Sequence, residues 1–243
     1  MAVQIATACK IYVAQYDLSG DLNKVTGPGN GATKLKKTVF TNTAENAAVG
    51  LWMPKCSAQG FVNFGTGNVH EALRANLGLA DVPVTVSPES GAAGEVAVFM
   101  NALEAVYNLG DKVDTMLPFS VEAEGRGTPA IAGRIFVAAG NKTATGTSGV
   151  IQLGAVSSAQ RVYAVMHVLS ASGTTPTLDV TVKSAALVGF GTPTTRLTFA
   201  QKTAAGYEFL SAAGAITDQF WRVDYTIGGT TPTFSFVVSV GIF

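Results

Sequence analysis

Two stretches of strict alternation dominate the second half of the chain, and the same five residues interrupt both. Val165, His167 and Leu169 precede Gly173-Thr174-Thr175-Pro176-Thr177, and Leu178, Val180 and Val182 follow it. Trp221, Val223, Tyr225 and Ile227 precede the second copy, Gly229-Thr230-Thr231-Pro232-Thr233, with Phe234, Phe236, Val238, Val240 and Ile242 after it. Apolar residues at every second position predict strands with one buried face. A Gly/Pro break between two such runs predicts a turn and a returning strand. Pro cannot donate to a central ladder, so Pro176 and Pro232 belong in the turn or at the start of the second strand. Two such hairpins predict an antiparallel β-sandwich over residues 150–243.

The first half is less regular. Ile11 and Val13 alternate as a strand, and Asp17-Leu18-Ser19-Gly20-Asp21-Leu22-Asn23 turns the chain with residues suited to local side-chain bonds and permissive dihedrals. Gly27-Pro28-Gly29-Asn30-Gly31 reads as a flexible loop. Lys34, Lys36 and Lys37 then lead into Val39-Phe40, as in an edge strand guarded by lysines. Residues 57–65 and Val82-to-Val86 read as strands. Between them Val69, Leu73 and Leu77 share one helical face, with Asn68 placed to cap and Gly78 to stop the helix. Residues 95–107 fit either a helix or a strand buried on both faces, the local pattern slightly favouring helix. Phe119, Val121 and Ala123 alternate with Ser120, Glu122 and Glu124, which puts two carboxylates on one face of a strand. Residues 134–139 follow as a further strand. The small polar run 141–149 reads as a Gly/Thr linker.

Composition narrows the function classes. Sixteen basic residues balance sixteen acidic ones, evenly on either side of Gly149, so the chain lacks the footprint of a tight nucleic-acid or anionic-membrane binder. Only 13% of residues are charged, where about a quarter is usual. A low-charge β chain fits a surface covered by identical neighbours. No apolar stretch approaches a membrane span, and the first residues lack a basic segment before an apolar core, so assembly in the cytoplasm is expected. Cys9 and Cys56 suggest packed thiols more than a bridge. The glycine loop lacks phosphate-binding spacing. His70 and His167 lack convergent partners of the kind a triad or metal site needs. Glu122 and Glu124 lie side by side on one strand instead of flanking a cleft. No catalytic, cofactor or metal residues are expected. Trp221 and Tyr225 alternate with polar residues and so should face a core and not a glycan.

The order of features resembles the major tail proteins, or tail tube proteins, of long-tailed bacteriophages. The resemblance rests on DLSGDLN (17–23), GFVNFG (60–65) with a short helix after it, and PVTVSPESGAAGEVAVFM (83–100). It continues through MLPFSVEAEGRG (116–127), the 149–184 segment and TDQFWRVDYTIGGTTPTFSFVVSVGI (217–242). It implies a mainly β fold: a tube-forming β-sandwich or barrel-forming domain over 1–140 with one short helix, the linker, and an appended Ig-like or jelly-roll-like sandwich on the tube exterior. It implies strand, not helix, over 95–107. It further implies self-association into hexameric rings stacked into a tube, with DNA only in passage and no membrane. Other tail proteins, such as the tape measure, terminator and baseplate, would be partners in the virion tail. The stretch 26–41 departs from the pattern in length. Glu122 and Glu124 become lumen candidates, because a channel for DNA needs acidic or neutral walls. Gly27, Gly29, Gly31, Lys34, Lys36 and Lys37 become a candidate inter-subunit loop. The competing expectations are a capsid decoration protein and a glycan-binding module.

Overall fold

The computed structural model describes residues 8–38, 44, 46–65, 67–110 and 116–243, and these are mainly β. The first half contains β1 (Lys10–Val13), β2 (Tyr16–Asp17), β3 (Leu22–Lys36), β4 (Ala47–Phe61), α1 (Val69–Asn76), β5 (Val82–Ser87), β6 (Val96–Leu109), β7 (Pro118–Gly125) and β8 (Ile131–Val137). The second contains β9 (Asn141–Lys142), β10 (Gly146–Thr147), β11 (Ile151–Gln152), β12 (Arg161–Ala185), β13 (Thr194–Thr198), β14 (Gly206–Ala213) and β15 (Phe220–Ile242). Val39 and Phe40 lie outside the described residues, as do residues 1–7.

β12 and β15 form one long antiparallel ribbon, from Val162 opposite Ile242 to Ala185 opposite Phe220. The repeated pentapeptides therefore do not connect hairpins, as the alternation suggested. They lie opposite each other as a double kink in the ribbon: Ser172 faces Thr233, Thr174 faces Thr230 and Thr177 faces Gly228, with the register slipping between these pairs. The cause is reciprocal fit. Gly173 (φ 112°) and Gly229 (φ 111°) hold backbone angles that side chains rarely allow, and Thr175 and Thr231 follow at φ 48° and 49°. A Cβ on Gly173 would stand 2.7 Å from the Thr231 carbonyl oxygen, and one on Gly229 would stand 2.6 Å from that of Thr175. The irregular register also leaves Pro176 and Pro232 without ladder partners, which suits residues that cannot donate.

The kink brings the two halves of the ribbon face to face. Met166, Val168, Phe234 and Phe236 from one half share a core with Leu178, Val182, Trp221 and Val223 from the other. β14 extends the first half and β13 the second, which completes an antiparallel sandwich. Trp221 is fully buried, and its Nε1–H donates to the Gly154 carbonyl at 2.9 Å. The small polar run 141–149 travels along β15: β9 and β10 pair with it, and the Ser148 and Thr145 hydroxyls accept the Val223 and Ile227 amides at 2.9 and 3.1 Å. Hydroxyls here replace ladder bonds.

The main sheet continues into the first half in the order β12-β15-β8-β6-β5-β1-β2. It curls far enough for β12 to meet β1 and β5, enclosing Tyr12, Ala97, Ile135 and Val237 in one cluster and Phe99, Ile131, Tyr163 and Val165 in another. His167 fastens this junction. Its Nδ1 lies 2.6 Å from the Ala14 carbonyl oxygen, which can only accept, so Nδ1 carries the proton and Nε2 accepts from the Thr85 hydroxyl at 2.7 Å. Burial depresses its pKa to about 4, so the ring is neutral at ordinary pH.

A second sheet, β3-β4-β7-β6, faces β1 and β5 across a core of Ile11, Leu18, Val84, Met100, Phe119 and Val121. β6 serves both sheets: Val96–Ala102 pairs with β5 and β8, and Ala102–Leu109 pairs with β7, with a bulge between Glu104 and Val106. Residues 96–109 are thus strand, because β8, β5 and β7 in succession pair with a backbone that local pattern slightly favours coiling. α1 closes one end of this core with Val69, Ala72 and Leu73 buried.

Gly229→Ala places a side chain against the opposite strand at an unfavourable φ, a strain of about 1–3 kcal/mol. For a chain of this size that lowers Tm by roughly 2–4 °C per kcal/mol, read by calorimetry. Gly173→Ala should do the same. The double variant should depart from additivity, because each glycine rests on the other copy.

Candidate assembly surface

The β3-β4-β7-β6 sheet turns one face inward and the other to solvent, and register decides which residues share each. Residues directly opposite in antiparallel strands lie on the same face. Cys56, Ala123 and Glu104 align inward, as do Ala58, Val121 and Tyr107. Lys55, Glu124 and Leu103 align outward, followed by Ser57, Glu122 and Val106, then Gln59, Ser120 and Asn108. Glu122 and Glu124 therefore stand exposed on a common face, as alternation predicts. Glu124 is not a free charge: Lys55 Nζ lies 2.9 Å from its Oε1. Lys24, opposite Gln59, adds a second cation to this face. The surface is neutral overall, a balance set by residues on β3 and β4 that the local sequence around 122–124 could not reveal.

Among the described residues both sides of this sheet are open. β3 pairs with β4 alone along its whole length. On the other side β6 pairs with β7 alone from Val106 to Leu109, while at Glu104 the backbone carbonyl accepts the Gly78 amide at 3.1 Å. Leu109, beside that free edge, is exposed, as are Leu77 and Leu79 after α1.

Beyond Lys55, β3 and β4 continue as a two-stranded hairpin. Gly27, Gly29 and Gly31, expected in a flexible loop, lie within β3 instead. Asn30 fixes them there: its Nδ2 donates to the Ala130 carbonyl at 2.8 Å and its Oδ1 accepts the Ala130 amide at 2.7 Å. A side chain so placed imitates a ladder partner, a signal that spacing does not carry. Lys34, Lys36 and Lys37 stand exposed along and just past the end of β3, and the Lys37 amide donates to the Asn46 carbonyl. β4 contributes apolar surface where none is covered: Val49 is 77% exposed, Leu51 84% and Trp52 54%. An isolated two-stranded ribbon is marginal in water. This one also carries an apolar stripe on its exposed side, and sequence reading passed over it because the stripe alternates like any half-buried strand.

Among the described residues no group of three or more His, Cys, Asp or Glu could hold a metal ion. His70 Nδ1 shares a 2.8 Å hydrogen bond with the Tyr107 hydroxyl and its ring packs against Phe64. Among the described residues one carboxyl group lies deep beneath the sheet. Glu104 is buried, neither carboxyl oxygen has a hydrogen-bond partner among the described residues, and it lines an apolar cavity of about 30 Å³ beside Ile11, Leu73 and Val84. Such a volume holds about one or two waters. Burial raises its pKa to about 8, which keeps the acid mostly protonated near neutrality.

No family model matches the chain, and no curated protein matches it. Solved structures do resemble it. A chain in the PVC sheath/tube terminator of an extracellular contractile injection system is 9% identical, with a TM-score of 0.42 over 54% of this chain and 97% of that one. The SPP1 tail tube is 11% identical, with a TM-score of 0.37 over 53% of this chain and 78% of that one. The SPP1 Dit protein, a hub adsorption apparatus component of phages that infect Gram-positive bacteria, is 9% identical, with a TM-score of 0.37 over 98% of this chain and 100% of that one. At such values what the chain does has to be argued from its own residues.

Glu104 yields a pH dependence with a definite sign. Its pKa is higher in the folded chain than the ordinary 4.5, so the folded state holds the proton longer. Stability is then flat with respect to this group below pH 4.5, declines as pH rises, and levels off above about 8, a loss on the order of 5 kcal/mol in total. His167 acts oppositely, costing stability as pH falls from 6.5 towards 4. Denaturant melts of Glu104→Gln should lose the decline between pH 6.5 and 8, whereas an unchanged slope would clear Glu104.

Proposed function

We propose that this chain is a structural protein of a bacteriophage tail, and that copies of it join sheet to sheet into rings that stack into the tube conducting DNA to the host. The observation that carries the reading is the four-stranded β3-β4-β7-β6 sheet with an open strand at each side. Its strands alternate in direction, and four is an even number. When a copy is rotated about an axis, the β3 edge of one therefore meets the β6 edge of the next in the antiparallel sense. The alternation then continues around a closed ring. Head-to-tail pairing of this kind removes both edges, and a second head-to-tail contact along the axis extends rings into a filament. Obligate contacts of this type bury more than about 2,000 Å² each.

The roles of individual residues follow from that reading. Residues 1–140 form the ring, with the solvent-facing side of the four-stranded sheet turned to the lumen and Glu122 and Glu124 on it. A neutral lining neither grips phosphates nor strongly repels them, which suits DNA in passage. Gly27, Gly29, Gly31, Lys34, Lys36 and Lys37, with the apolar residues of β4, belong to the hairpin that reaches a neighbouring copy. Residues 150–243 stand on the exterior. Tape measure, terminator and baseplate proteins would meet the tube at its ends, and the whole would be built in the host cytoplasm.

Negative-stain microscopy of the purified protein tests this directly. Stacked rings or tubes with a central hole are expected. Dispersed monomers at all concentrations, or particles that only coat preformed capsids, would overturn it. Leu51→Lys and Leu109→Lys alter exposed side chains, so monomer stability should change by no more than about 0.5 kcal/mol. Both should abolish or strongly reduce assembly in sedimentation.

A further inference from the structure

Among the described residues the hairpin formed by β3 and β4 has one aromatic contact with the second half of the chain. Near its base Asn30 is bonded to Ala130, and the ring of Pro54 lies where a side chain on Gly125 would stand. Further out the ring of Trp52 meets that of Phe243, edge to face, with centroids 6.1 Å apart. Both rings remain exposed, at 54% and 41%. Phe243 is itself held in place, because its amide donates to the Arg161 carbonyl and its carbonyl accepts the Arg161 amide, at 3.0 and 2.8 Å. Arg161 begins β12, the strand whose first half packs against β1 and β5. A firm chain of contacts thus runs from the core of the second half to the outer part of the hairpin, through one pair of rings.

We propose that Phe243 is a positioning residue for assembly: by docking against Trp52 it fixes the angle at which the hairpin leaves the body. Trp52 faces the opposite way from its β4 neighbours Leu51 and Met53, since successive strand residues alternate. Engaging Trp52 with Phe243 therefore turns the Leu51 and Met53 side outward in a defined orientation, while Val49, beyond the register shift between Ala32 and Lys34, shares the face of Trp52. The second half of the chain then does more than decorate an exterior. It sets the pose of the surface through which copies meet, and this part of the inference rests on the assembly reading above.

The test separates the two ideas. Hydrogen exchange of the full-length monomer reads the latch without assembly, at the amides of residues 31–36 and 47–53. Edge-to-face aromatic pairs contribute enough that Phe243→Ala should speed exchange there by about 2- to 10-fold. Exchange in β12 and β15 and the thermal midpoint should hold. Phe243→Tyr, which keeps the ring, should restore slow exchange, and Trp52→Ala combined with Phe243→Ala should add little to either alone. Assembly of Phe243→Ala, followed by light scattering, should begin later and at higher concentration than that of the parent chain, with Phe243→Tyr close to the parent. Unchanged hairpin exchange in Phe243→Ala overturns the latch, as does faster exchange that Phe243→Tyr fails to reverse. A parent chain that never assembles overturns the tube reading while the exchange result still decides the latch.

Discussion

The pairing of β12 with β15 is the constraint on which the rest of the structure depends. One ribbon supplies two layers of the C-terminal sandwich by folding on itself, and its β15 edge receives β8, through which the first half joins the same sheet. The first half of β12 is buried on both sides, with Met166 and Val168 in the sandwich core and Tyr163, Val165 and His167 against the N-terminal strands. Burial on two sides explains the unbroken apolar run there, and it explains why a polar residue within it must be fully satisfied. His167 meets that demand with both ring nitrogens, and so ties β12 to the backbone of Ala14 and to Thr85.

Much of this was legible in the residues, and the exceptions have specific causes. Strand content, the helix beginning at Val69, the inward aromatics and the shared face of Glu122 and Glu124 follow from periodicity, which reports how each side chain alternates within its own strand. Periodicity is silent about partners. It could not tell that the pentapeptide copies face each other, because a turn and a kink interrupt alternation with the same residues. It could not place Gly27 to Gly31 in a strand, because the group that holds them there is Ala130, a hundred residues from Asn30. The hydroxyl-rich run 141–149 reads as a linker for the same reason: its bonds go to β15, far along the chain.

The candidate surface divides along the same line. The carboxylates of β7 could be found from sequence, whereas Lys55 beside Glu124 depends on the β4 register, and the open edges depend on what fails to pair. Glu104 follows Met100 and Ala102 inward at every second position, but that phase shows only once residues 95–107 are known to be strand and not helix. A buried acid without partners is costly, and keeping it protonated is the least expensive form available near neutrality.

The reciprocal kink has a consequence for how this chain can vary in length. Since the side-chain period is two, inserting one residue into β12 between Leu178 and Ala185 would invert every following position and carry hydrophobic groups into water. An equal insertion in β15 between Phe220 and Ile227 would be needed to bring the facing residues back into step. Indels in the two segments are therefore bound together, though β13 and β14 lie between them in the chain.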